Sequence, residues 1–489
     1  MLFTFASRLP VLGGAAAAAC VSLRHALQQQ TRGMLWSVER EKHHTYKPVD
    51  EIINDKAITE ALESTKAAAK DPAAIKAILQ AASDRAMLKN AVPELMGMVY
   101  DTALAIKERI YGNRIVLFAP LYLANYCVNS CTYCAFRSGN KSLQRSALTD
   151  ADIVSEVTAL QEQGHRRILA LTGEHPKYTF DQFLHIPSLS VSDVRRLKAT
   201  DHVGTFTLFQ ETYHRPTFAQ MHVSGPKSDY DHRLLSQDRA MLGGIDDVGI
   251  GALFGLADYR YEVLGMLSHA NHLEDTYGAG PHTISVPRMR PADGSELSIK
   301  PPHEVDDANF IKLVAILRVA VPYTGMILST RESPAMRDAL LAVGMSQMSA
   351  GSRTDVGAYH RHDSEATNAK LGDLTGQFSL MDHRPASEIV KDLMRKGYVP
   401  SWCTACYRKG RTGEAFMKIA KAGEIHNFCH PNSLLTLQEY LNDYADPEAR
   451  KLGAEVMARE AESGLSDAAK RLLQHKLKRV NAGEHDVYI

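Results

Sequence analysis

The chain has 489 residues with 56 basic against 56 acidic side chains, and a formal net charge of zero gives no basic excess of the kind nucleic acid selects. Hydrophobic residues make up 45% and charged residues 23%, the balance of an ordinary globular protein with room for one large domain plus appendages. No apolar run is long enough to cross a bilayer, the best being VLGGAAAAACV at 11–21, so the expectation is a soluble protein with neither membrane nor nucleic acid as partner.

The chain opens unusually. Residues 1–38 hold Arg8, Arg24 and Arg32 and no acidic side chain before Glu39, with apolar residues interleaved as in an amphipathic helix. That is the composition of an organelle transit peptide, and it predicts import into a hydrogenosome, mitochondrion or plastid matrix. The competing reading is a disordered or secretory N-terminus. Residues 39–110 are expected to form a helical extension.

From 114 onward, strand-like and helix-like segments alternate. RIVLFAPLYLANYC (114–127) reads as a buried strand running into a cysteine loop, and DADIVSEVTALQEQGH (150–165) as a helix with Ile153, Val157 and Leu160 on one face. Thr149 and Asp150 supply capping chemistry for it and Gly164 a stop. Further strands are predicted at 166–174, 203–213, 246–256, 282–287, 323–333 and 344–353. Repeated strand and helix units with charged residues at strand ends predict an α/β fold, a parallel (β/α)8 TIM-type barrel over 111–382 with its chemistry at the strand-end mouth.

The seven cysteines carry the most chemical information. Apart from Cys20 they form two triads, Cys127, Cys131 and Cys134 in CVNSCTYCAF, and Cys403, Cys406 and Cys429. Neither has the look of a disulfide framework. Structural zinc is normally closed by four ligands, whereas three thiolates suit a 4Fe–4S cube with one iron left open to a small molecule.

The C-x-x-x-C-x-aromatic-C spacing of Cys127, Cys131, Tyr133 and Cys134 resembles the signature of the radical SAM superfamily. The resemblance implies that the open iron chelates S-adenosyl-L-methionine, whose cleavage gives a 5′-deoxyadenosyl radical, with Tyr133 near the adenine. Gly173 and Glu174 in LTGE resemble the family's glycine–glutamate motif for the methionyl amine. Glu211 and Tyr213 in FQETYH, and Arg233 in DYDHRL, resemble positions that hold the ribose or carboxylate. The plain alternatives are a turn glycine and charged residues that solvate a barrel rim.

DDVGIGALFGLADYR, HTISVPRMRPADG and LSTRES resemble the tyrosine-lyase branch of that superfamily, which joins thiamin-pathway lyases and [FeFe]-hydrogenase maturases. Cleaving the Cα–Cβ bond of L-tyrosine to p-cresol and dehydroglycine needs a cation for the substrate carboxylate. Arg331 and Arg288 are both suited to it, Arg331 being favoured, because a guanidinium fork matches a carboxylate in two hydrogen bonds. A strand-end salt bridge is the alternative for either.

The second triad, C-x-x-C-x(22)-C with YRKGRTGEAFM inside it, resembles the C-terminal cluster motif of the hydrogenase maturases. It implies an auxiliary iron–sulfur domain over 383–489 holding a second 4Fe–4S cluster, which can carry an extra iron and cysteine. His282 matches the barrel histidine that ligates that iron. There dehydroglycine is broken down to CO and cyanide for the diiron unit of the hydrogenase active site. A reductant such as ferredoxin or flavodoxin and the other hydrogenase maturases are the partners implied. Two other functions remain open, a thiamin-pathway lyase and a non-catalytic iron–sulfur carrier.

The segment 383–403 is predicted as a helix and a short link, and 431–445 and 446–460 as helices, the first capped by Ser433. Gly410 and Gly413 let the cluster loop turn tightly. The tail is expected as a helical cap whose cluster faces the barrel mouth.

Overall fold

The computed structural model describes residues 2–6, 40–64, 96–175, 189–200, 202–360, 376–461 and 463–489. Nine strands form one sheet: β1 (Leu2–Ala6), β2 (Arg114–Ala124), β3 (Arg167–Thr172), β4 (Val203–Thr207), β5 (Val248–Gly251), β6 (Thr283–Ser285), β7 (Gly325–Leu328), β8 (Gln347–Ser349) and β9 (Val399–Ser401). From β4 to β8 each strand pairs in parallel with the next, and β8 returns to β2. β2 also pairs in parallel with β3, while β1 lies antiparallel between β3 and β4 and closes the ring. The rest of the predicted transit peptide lies outside the described residues.

This is the TIM-type barrel the alternation predicts. A parallel strand covered on both faces needs apolar residues throughout, and β2 is buried along its whole length apart from Pro120. Helices are set around the ring, among them Asp150–Glu162, Tyr259–Tyr277 and Asp307–Ala320. The first begins on a capping box: Thr149 accepts the Asp152 N–H, and the Asp152 carboxylate accepts the Thr149 N–H. Gly164 ends the following turn at φ +84°, and a Cβ there would fall 2.6 Å from the Tyr440 ring, so this turn packs directly on the C-terminal helices. In the N-terminal extension, helix Met96–Tyr111 packs on Asp307–Ala320.

The C-terminal part departs from the sequence expectations in three ways. The link after helix Ala386–Arg395 contains β9, which pairs with Arg114–Val116 at the start of β2. Helix His426–Asp443 begins before 431 and runs through Pro431. Ser433 therefore does not cap it, and its hydroxyl donates to the His430 carbonyl at 2.6 Å. Finally, β9 delivers the second cysteine triad to the strand starts, the end of the barrel opposite the mouth. The loop that follows runs beneath the barrel: Tyr407 bonds Arg167 and Thr205, Gly413 abuts Asp246, and Phe416 packs on His282. The predicted placement at the mouth is corrected on this point, because the register of β9 on β2 decides it.

Candidate active site

The first cysteine triad follows the end of β2 and lines a cavity of about 230 Å³ in the barrel lumen. Two close backbone approaches hold the loop. A Cβ on Gly173 would sit 2.2 Å from the Tyr126 carbonyl oxygen, and one on Gly225 would sit 2.8 Å from the Asn129 Cα. Gly173 is thus required by packing of the cysteine loop against the end of β3. Asn129 ties the loop to its surroundings: its Nδ2 donates to the Glu174 carboxylate at 2.5 Å and reaches Cys127 Sγ at 3.5 Å, while its Oδ1 accepts the Lys227 N–H. Burial pushes the Cys131 thiol up to about 12, with Lys227 opposing the shift.

A charge network faces the same cavity. Glu211, at φ +72°, presents its carboxylate to Lys227 Nζ at 2.6 Å and to Arg233 Nη2 at 3.4 Å. Burial works against its ionisation, but the two cations outweigh it and hold its value down to about 2. Arg233 also reaches Glu174 at 3.9 Å and donates Nε to the Phe209 carbonyl. A left-handed glutamate is a costly conformation, and here it sets a carboxylate between two cations beside the cysteine loop. Tyr133 is buried, its hydroxyl 2.8 Å from His222 Nε2 and its ring 5.6 Å from Lys227 Nζ.

On the far wall, Arg331 lines the cavity with its guanidinium 3.4 Å from the Phe378 ring centroid. Among the described residues it donates Nη1 to the Arg288 carbonyl at 3.5 Å and forms no ion pair, and desolvation lowers its pKa from the ordinary value. Arg288 is committed elsewhere. It is clamped by Glu332, by Asp307 at 2.8 Å and by the Val305 carbonyl at 2.9 Å, and it does not line the cavity.

The second triad assembles at the strand starts. Cys406 hydrogen-bonds Cys429, and the positive charges of Arg114 and Arg411 favour thiolate there, with His282 adding to them. Arg114 and Arg167 do the same for Cys403, although burial raises that thiol. His282 stands between Phe416, with ring centroids 4.8 Å apart, and Asp247, whose carboxylate receives Nδ1 at 2.9 Å.

Comparison with known proteins places the chain in a family. Residues 285–399 match the family described as Biotin and Thiamin Synthesis associated domain. The 2-iminoacetate synthase of Escherichia coli is 32% identical over 333 residues, 65% of this chain and 85% of that protein. The crystal structure of HydG, a maturase of the [FeFe]-hydrogenase, is 44% identical with a TM-score of 0.82, covering 90% of this chain and all of that one. HydG from Carboxydothermus hydrogenoformans is 36% identical with a TM-score of 0.74, over 88% of this chain and 99% of the other. The chain belongs to the radical SAM branch of HydG maturases and 2-iminoacetate synthases.

As a member of this radical SAM branch the chain is an enzyme whose family implies a 4Fe–4S cluster and S-adenosyl-L-methionine. The mouth fits both. Cys127, Cys131 and Cys134 face one cavity with Glu174, Glu211 and Arg233, so thiolate ligands stand next to both charge types that the sulfonium amino acid carries. Two predicted site residues are corrected. Tyr213 is fully buried away from the cavity, its hydroxyl 3.1 Å from His269 Nδ1 and its Cβ packed on Gly265, because the chain turns into the core after Glu211. Arg288 is a core ion-pair residue, as described. Sequence reading missed Lys227, which arrives from a 3-10 turn at 226–228, and Gln377, whose Nε2 lies 3.6 Å from Cys134 Sγ and whose Oε1 accepts from the Tyr122 hydroxyl. Neither carries a motif of its own.

Proposed function

We propose that the chain is a radical SAM L-tyrosine lyase that yields p-cresol and dehydroglycine. The latter would then be converted at the second triad to CO and cyanide for the hydrogenase diiron unit. The observation that carries this reading is Arg331, a half-buried guanidinium that forms no ion pair among the described residues and lines the same cavity as the first cysteine triad. A cation of that kind facing an enclosed cavity favours an anion, and an amino acid carboxylate meets its fork in two charge-assisted hydrogen bonds.

When bound, the first cluster and S-adenosyl-L-methionine supply a 5′-deoxyadenosyl radical. The chain's own residues do the positioning. Glu174, Glu211, Lys227 and Arg233 offer the polar ends of the cofactor preset partners, while Arg331 anchors the substrate carboxylate. Gln377 and Tyr122 brace Cys134. At the other end, Cys403, Cys406 and Cys429 would hold the second 4Fe–4S cluster, and His282 the extra iron that is the reaction's cargo. Ferredoxin or flavodoxin would supply the electron, other hydrogenase maturases would take the product, and the arginine-rich start would direct import into an organelle matrix. Cleavage would also remove strand β1 from the sheet, and N-terminal sequencing of the organellar protein tests the point, since an intact Met1 would refute cleavage.

Anaerobic incubation of the reconstituted chain with S-adenosyl-L-methionine, dithionite and L-tyrosine tests the lyase reading. Equimolar 5′-deoxyadenosine and p-cresol are expected. 5′-Deoxyadenosine without p-cresol would refute tyrosine as substrate, and neither product would favour an iron–sulfur carrier.

A further inference from the structure

The lumen cavity reaches Arg167, Thr205 and Thr283 on β3, β4 and β6, whereas Tyr407, His282 and the second triad are not among its lining residues. Tyr407, next in sequence to Cys406, lies at that boundary. Its hydroxyl takes a hydrogen bond from Arg167 Nη2 at 3.0 Å and one from Thr205 Oγ1 at 2.9 Å. Its ring lies flat against Gly204, where a Cβ would be 2.7 Å from the ring carbons, so the strand has been cut back to backbone to admit it.

The latch is also incomplete in a telling way. Arg167 is 6% exposed and, among the described residues, its buried Nε has no hydrogen-bond partner, nor does Thr283 Oγ1. Nε and Nη2 form the side edge of a guanidinium, the edge that grips a carboxylate bidentately. On Arg167 half of that edge is unspent and the other half holds Tyr407.

We propose that Tyr407 is a gate in the barrel floor, opened when a small carboxylate takes the Nε–Nη2 edge of Arg167 and so deprives the tyrosine of its latch. This rests on the proposed reading that a carboxylate fragment leaves the Arg331 end of the lumen. The fragment's own charge then admits it to the second triad, and the floor stays shut while tyrosine is being cleaved. Binding and latching compete for one donor, so each must weaken the other by the same factor.

That linkage gives a test independent of turnover. Glyoxylate, a stable two-carbon carboxylate, is titrated calorimetrically into the full reconstituted chain without reductant, with L-tyrosine saturating the Arg331 end. Tyr407→Phe removes the latch and keeps the ring, and should bind glyoxylate about three- to tenfold more tightly than wild type, the fold-change of one hydrogen bond. Thr205→Val should shift affinity the same way, and Arg167→Gln should abolish the binding. Unchanged affinity in Tyr407→Phe, or undiminished binding in Arg167→Gln, would overturn the gate. Loss of p-cresol formation by the wild type would instead overturn the lyase reading, so the two failures are distinguishable.

Discussion

His282 donates its Nδ1–H to Asp247, 2.9 Å from one carboxylate oxygen and 2.8 Å from the other, across the starts of two neighbouring strands. An imidazole held this way offers Nε2 for ligation, and the carboxylate fixes its tautomer and ring orientation. Asp247→Asn should therefore weaken binding of the extra iron by about 10- to 100-fold while p-cresol formation stays at the wild-type level. Iron titration followed by electron paramagnetic resonance of the second cluster checks this. An unchanged affinity would remove His282 from the iron site.

Arg331 and Arg288 separate in opposite experiments. Arg331→Met should lower kcat/KM for tyrosine by about 10- to 150-fold, the range of a charge-assisted hydrogen bond, with the melting temperature little changed. Arg288→Met leaves Glu332 with Arg290 as its remaining cation and should cost about 3 kcal/mol of stability, read by thermal denaturation, without a comparable change in tyrosine KM.

Gly173→Ala forces a methyl group into the Tyr126 carbonyl. The cysteine loop must move, so iron of the first cluster and S-adenosyl-L-methionine cleavage should both be lost while the second cluster still assembles. Iron per chain and the two cluster signals report this, and retention of the first signal would contradict the packing argument.

Glu262, fully buried in helix Tyr259–Tyr277, accepts the Tyr213 N–H at 2.7 Å and the Thr212 hydroxyl. Burial pushes its carboxyl from the ordinary 4.5 to about 8, because no cation accompanies it. The native protein then binds a proton that the unfolded chain releases. This contribution to stability is full below about 4.5 and fades as pH rises through about 8. Glu262→Gln keeps the neutral shape, so its melting temperature should gain on the wild type across that window. A pH-independent gap would show the carboxyl to be ionised throughout.

The barrel was legible because its strands are nearly continuous apolar runs that end in polar residues, and the first triad because its spacing is so specific. Position around the second triad was not legible. Its end of the barrel depends on three residues of β9 pairing with β2, which the sequence shows as a link. Arg331 and Arg288 look alike in sequence as strand-end cations, and the difference is made by Glu332 and Asp307, which claim Arg288 through tertiary contacts. Tyr213 was drawn to the site by its neighbour Glu211, whose left-handed backbone turns the two side chains apart. Lys227 and Tyr407 act through tertiary contacts that no local pattern records.

The central claim is that the two triads divide one reaction between the ends of the barrel. It is tested most directly by quantifying p-cresol and CO together from the wild type and from a Cys403→Ala/Cys406→Ala variant. The account predicts both products from the wild type, and p-cresol at the wild-type level with CO lost in the variant. Undiminished CO from the variant, or p-cresol without CO from the fully loaded wild type, would contradict it, the latter pointing to a tyrosine lyase of the thiamin-pathway kind.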